Sequence, residues 1–256
     1  MMCSQNPTMS HASFLQTVKK RFPKSLKSLV IQRFPKLRWK GDKTRIFCIA
    51  LQKTGTTSVG DFFTYFGYPT ARYKHSRDNA WTRSWFDGNY EAIFDTEDFK
   101  QRQVFEDDPW WCLDFYKYLY HRFPNARFIL VYRDPDRWFD SMLKHHDGKN
   151  LSNARHHCKM YHREADFYEK LEQDPNFRPS FDRVEKLIDM RPHREHYTTF
   201  YKTRQKEVLE FFEQHDRSRL LSLQLEAPEK WQQLGAFVGV KVPEGFDMHS
   251  NASEKE

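Results

Sequence analysis

The stretch QKTGTTS, residues 52–58, lies between an apolar run and a segment with helical spacing. A turn in that position sets backbone N–H groups at the positive end of a helix, where an anion is favoured. Gly55 lets the backbone approach a phosphate closely. Lys53 adds a mobile cation, and Thr54, Thr56, Thr57 and Ser58 add hydroxyls and N–H groups around it. The order of residues is not that of the GxxxxGK[ST] loop, whose lysine follows the glycines and reaches the outer phosphates of a triphosphate. Here the lysine comes before the glycine and the loop is shorter, a cradle sized for one phosphate.

A second anion site is readable in VYRDPDRWFDSML. Arg133 ends an apolar run, and Ser141 lies about two turns into the next helix. A guanidinium fork gives paired, charge-assisted bonds to a phosphate, and a hydroxyl completes the cradle. A salt bridge from Arg133 to Asp134 or Asp136 is the alternative use of that side chain. If both sites serve one ligand, it is a nucleotide carrying phosphates at two places on its ribose.

The elements that must hold these residues follow from the apolar pattern. RIFCIAL (45–51) and ARFILVYR (126–133) are short apolar runs rich in β-branched residues, as expected of strands covered on both faces. The segment after the first phosphate turn reads as a helix of about ten residues. Its Val59, Phe62, Phe63 and Phe66 recur at i, i+3, i+4 and i+7, and Gly67 followed by Pro69 stops it. LDFYKYLYHRF (113–123) is a second helix, and DPDRWFDSMLKHH (134–146) opens a third with Asp134 as cap and Pro135 in its first turn. Strands alternating with helices predict an α/β fold of three layers around a mainly parallel sheet, whose ligands bind at the carboxyl ends of the strands. Beyond residue 150 the chain turns helical, with YHREADFYEKLEQ, FDRVEKLIDM and HYTTFYKTRQKEVLEFFEQH as three covering helices. RLLSLQL (219–225) and EKWQQLGAFVG then give a last strand and helix.

Charge divides the chain at its start. The net charge is +7, yet residues 19–45 hold eleven Lys or Arg against one acid, which leaves residues 46–256 slightly acidic. Residues 1–43 therefore read as a basic N-terminal extension and 44–250 as the folded domain. The extension, with RFPK at 21–24 and again at 33–36, reads as a solvated or loosely docked arm, with contact to an anionic membrane surface through residues 19–45 or to a partner as the functional alternatives. Binding of nucleic acid is not expected of the body. Neither a signal peptide nor a membrane span is visible, so a cytoplasmic location is expected. Four scattered cysteines suit a reducing compartment, and Cys48 reads as a small buried hydrophobe.

With both anion loops in hand, the chain resembles the sulfotransferase family over about residues 44–250. KTGTT (53–57) is similar to that family's 5'-phosphosulfate loop. Arg133 with Ser141 matches its 3'-phosphate motif, PNARFILVYRDPDRWFDSM resembles the strand and helix around that motif, and WQQLGAFVGVKVP (231–243) looks like the closing helix. The Arg-Lys-Gly tail element and the dimerisation motif of cytosolic members are not visible. The resemblance implies a fold related to the nucleotide kinases and a donor, 3'-phosphoadenosine 5'-phosphosulfate, whose sulfuryl group passes to a hydroxyl or amine. It also implies that Lys53 covers the bridging oxygen and that no metal takes part.

An acceptor of that kind needs a general base. Relatives place a His or Glu near the end of the strand preceding the 3'-phosphate motif, here within RQVFEDDPWW (102–111). Asp107 is the first candidate, since Asp107-Asp108-Pro109 resembles an Asp-x-Pro found in one branch of the family. Glu106 is second, and Asp95, after the apolar run AIF, is third. His157, Cys158 and His162, with His145 and His146 nearby, fit no common zinc spacing and read as a charged helix surface. Trp81, Trp85, Trp110 and Trp111 lie between the two loops, as acceptor walls or as core. Two rival readings are a small-molecule kinase with a degenerate phosphate loop and a non-catalytic protein binding membrane or RNA through its basic arm.

Overall fold

Successive residues of the first apolar run point to opposite sides of a sheet. In the computed structural model, which describes residues 39–41, 43–145, 155–174 and 189–248, Ile46, Cys48 and Ala50 join one core cluster with Val59, Phe62 and Trp231. Phe47, Ile49 and Leu51 join another with Trp110, Phe128, Trp138 and Phe212. A strand buried on both faces has no polar face to show to water, which is why RIFCIAL carries no alternation of polar residues.

The described elements run β1 (Ile46–Cys48), α1 (Thr56–Tyr65), β2 (Thr70–Ala71), α2 (Tyr73–Asp78), α3 (Trp81–Phe86), α4 (Tyr90–Phe94), α5 (Glu97–Gln101), β3 (Val104–Phe105), α6 (Phe115–Arg122), β4 (Arg127–Tyr132), α7 (Pro135–Lys144), α8 (Arg155–Met160), α9 (Glu164–Gln173), α10 (Arg194–Gln214), β5 (Leu220–Gln224) and α11 (Lys230–Phe237). The sheet order is β2-β3-β1-β4-β5, and every neighbouring pair is parallel. Helices α1 and α11 cover one face through Val59, Phe62, Trp231 and Leu234. Helices α6, α7 and α10 cover the other through Tyr116, Leu119, Trp138, Phe139, Tyr201 and Phe212. The three-layer α/β fold with a parallel sheet is the one expected.

Several expectations are refined. The last covering helix and the final strand and helix stand where they were placed, while FDRVEKLIDM lies almost wholly outside the described residues, as does the basic arm up to residue 38. The apolar run AIF before Asp95 lies in α4. All four tryptophans of the middle region are core: Trp81 and Trp110 are fully inaccessible, and Trp85 and Trp111 nearly so. Cys48 is buried, as expected, and its burial pushes the thiol up to about 12. Among the described residues no helix is long and apolar enough to cross a membrane.

Candidate active site

The phosphate turn forms where β1 hands the chain to α1. Gly55 caps the helix with φ 88°, in the left-handed region, and no side chain caps that end. A Cβ there would lie 2.6 Å from Leu225 Cδ1, so the close approach of the turn to the chain after β5 requires glycine. The first helical bonds run from Ser58 N and Val59 N to Gly55 O at 3.0 and 3.2 Å. The N–H groups of Thr56 and Thr57 precede them at the helix end, where an anion is favoured. Thr54 is fully buried and its hydroxyl donates to Leu51 O at 2.6 Å, so it braces the turn from inside. Lys53 itself has φ 65°, a costly conformation for a side-chain-bearing residue. Its partial burial, and then the charge of Arg133, hold the ammonium below the usual lysine range.

Arg133 follows β4, which pairs directly with β1 in the register Cys48 to Ile129. The two cations thus leave neighbouring parallel strands at the same edge of the sheet, near enough for one to lower the proton affinity of the other. Arg133 N donates to the Tyr201 hydroxyl at 2.9 Å. Its guanidinium meets Glu226 Oε1 at 3.4 Å, not Asp134 or Asp136, and its Nε is buried without a hydrogen-bond partner among the described residues. Asp134 is instead the cap of α7: its carboxylate accepts from Arg137 N at 2.9 Å. That helix carries Ser141, half-buried, two turns on. Trp138, in the same helix, donates from Nε1 to Gln52 O at 2.9 Å. Gln52 in turn donates from Nε2 to the Tyr161 hydroxyl at 2.9 Å. The two anion loops are therefore joined by a direct hydrogen bond.

On the other side of β1, strand β3 ends at the acid pair. Glu106 is buried, 2 % exposed, against α1, where a Cβ on Gly60 would come within 2.9 Å of its Cγ. Burial, then the neighbouring charge of Asp107, push its carboxyl up to about 8. Asp107 is half-buried with φ 74°, and its carboxylate accepts from Asp108 N at 2.8 Å. Burial, then Asp108, push it up to about 7. Strand order thus sets the acid pair, Lys53 and Arg133 on three adjacent tips, β3, β1 and β4. Asp95 does not join them. Its side chain is 85 % exposed, and Phe94 beside it packs on Phe123, before the amino end of β4, with ring centroids 5.0 Å apart.

Sequence reasoning missed Glu226, Gln52, Trp138 and Tyr201 as supports of the two loops, since each acts across a long separation in the chain. A cavity of about 640 Å³ opens between α10 and residues 113–117, lined by Asp114, His162, Glu195, Phe200 and Arg204 among others. None of its lining residues belongs to the anion loops or the acid pair.

Individually curated proteins give no match to this chain. A family model described as a sulfotransferase domain matches residues 45–255, which takes in both anion loops and the acid pair. Over most of its length, then, the chain belongs to the sulfotransferase family.

Proposed function

We propose that the protein moves a sulfuryl group from 3'-phosphoadenosine 5'-phosphosulfate to a hydroxyl or amine of an acceptor. The observation that carries this reading is the adjacency of β1 and β4, whose tips present Lys53 and Arg133 at one sheet edge. An uncapped helix end behind a glycine cradle suits the 5'-phosphate, through Gly55, Thr56, Thr57 and Ser58. Arg133, with a buried unpartnered Nε, suits the 3'-phosphate together with Ser141. Thr54 contributes by bracing the turn through its hydroxyl, which is engaged with Leu51 O and not with the donor.

In the reaction, the acceptor oxygen or nitrogen forms a bond to sulfur as the bond from sulfur to the bridging oxygen breaks. The electron pair leaves with 3'-phosphoadenosine 5'-phosphate. Lys53 supplies positive charge where that oxygen becomes anionic, the kind of stabilisation that dominates group-transfer catalysis. The acceptor proton passes to a carboxylate, and Asp107 is the better placed of the two. It is half-buried on a loop, whereas Glu106 is packed beneath Gly60. The displacement itself invokes no metal.

Calorimetric titration of the full-length protein tests the donor class. It should bind 3'-phosphoadenosine 5'-phosphate and ignore ATP with Mg²⁺. Binding of ATP with Mg²⁺ and not of the bisphosphate would replace this reading with a kinase.

A further inference from the structure

We propose that Asp108, His156 and His157 form a binding site for a divalent transition-metal ion, with Zn²⁺ as the fitting ion. The three residues come from two parts of the chain: Asp108 from the loop after β3, the adjacent histidines from α8. One carboxylate oxygen and one ring nitrogen from each histidine all lie within 4.8 Å of one another. All three side chains are buried, with exposures of 8, 7 and 5 %.

Burying these groups together is costly unless something pairs with them. Asp108 Oδ1 and both ring nitrogens of His157 have no hydrogen-bond partner among the described residues. An imidazole carries one donor and one acceptor nitrogen, and each buried polar atom left unpaired costs about 1–3 kcal/mol. Trp111 approaches the Asp108 carboxyl as a donor, yet Oδ1 and both His157 ring nitrogens stay unpaired among the described residues. Trp111 and Tyr161 stand beside His157, with centroids 6.0 and 6.4 Å away. The two histidine rings lie side by side, centroids 4.0 Å apart, so protonating both would set two cations together. A metal ion instead engages the carboxylate and both imidazoles at once.

The donor set selects the ion. Two imidazoles and one carboxylate suit zinc and its neighbours, whereas Mg²⁺ and Ca²⁺ prefer all-oxygen sites. Bonds of about 2.0–2.1 Å in a tetrahedron hold donors about 3.3 Å apart, a contraction that side-chain torsions supply. The fourth position is left to water. Of the histidines and cysteine whose spacing fits no common zinc pattern, only His157 belongs to this site, and His157 and Cys158 are buried where a charged helix surface was expected. Cys158 packs with Phe167 in a small apolar cluster, and His162 lines the cavity beside α10. The ion stands outside the transfer step and clips α8 to the loop bearing Asp107, one residue from Asp108.

The test is zinc binding by the full-length protein, stripped with a chelator and dialysed, then titrated with ZnSO₄ and assayed for bound metal. The expected result is one ion per chain. Asp108→Asn, which preserves shape, and His157→Ala should each lower affinity by roughly a hundredfold or more, as for loss of one of three ligands. His162→Ala should bind as the parent does. Cobalt in place of zinc should give the visible absorption of a four-coordinate site, lost in Asp108→Asn. Circular dichroism reports whether each variant is folded, and Asp108→Asn decides the matter if His157→Ala unfolds. A parent protein that binds no zinc, or a folded Asp108→Asn protein that binds it equally well, overturns the proposal.

Discussion

At the scale of single residues, Lys53 bears the most chemical weight. Its charge sits at a strained backbone position at the head of the phosphate turn. Lys53→Ala is expected to cut turnover about 10²–10³-fold, as for removal of one transition-state donor, while weakening donor binding only modestly. Unchanged turnover would remove the leaving-group role. The ammonium must be protonated to act, and burial together with Arg133 makes it lose its proton at a lower pH than an ordinary lysine. On the alkaline side, activity declines as pH rises through that value, while on the acid side it is lost as Asp107, raised to about 7, takes up its proton. Lys53→Arg, charged throughout, should lack that alkaline decline; an identical alkaline limb in both proteins would assign it to another group. Gly60 makes a second case. Alanine favours a helix interior by up to about 1 kcal/mol over glycine, but here its Cβ would meet Glu106 Cγ at 2.9 Å. Gly60→Ala is expected to be destabilising by about 1–3 kcal/mol in denaturant melts, and by less in a Glu106→Ala background, since the clash is what couples them.

At the scale of elements, the turn into α7 positions the second anion site. Asp134 caps the helix and Pro135 starts it. Asp134→Ala should cost about 1 kcal/mol of stability, the usual value of a cap, with a weakened bisphosphate affinity because Ser141 and Trp138 ride on the same helix. A melt unchanged from the parent would show that the cap contributes nothing. These elements were legible in the sequence because each has a strong local signal: unbroken apolar runs for β1 and β4, Asp-Pro at the start of α7, and i, i+3, i+4 phenylalanines in α1. Strands β2 and β3, of two residues each, were not, β3 being placed only by the family resemblance. Two residues carry no period, and what makes Val104–Phe105 a strand is its pairing with β1. The short helices α3 to α5 are likewise set by packing of aromatic residues, Trp81, Trp85, Phe94 and Phe99 among them, and sequence alone left the tryptophans open between acceptor wall and core. Lys53, Arg133 and the acid pair were readable as types; the Trp138 to Gln52 hydrogen bond and the Asp108, His156, His157 cluster were not, because chain separation hides them.

At the scale of the whole molecule, topology does the assembling. Crossing from β1 through α1 to the β2 edge, back to β3, then over β1 to β4 places residues 53, 107 and 133 on three consecutive strand tips. Parallel strands send all three to the same edge, the arrangement on which the proposed nucleotide site rests. The central claim is that Arg133 reads the 3'-phosphate of that nucleotide, and titration of the parent and Arg133→Ala proteins with 3'-phosphoadenosine 5'-phosphate and with adenosine 5'-phosphate tests it most directly. The account predicts a loss of roughly 2–3 kcal/mol, about 30- to 150-fold, for the bisphosphate and little change for the monophosphate. An equal loss for both ligands would contradict it.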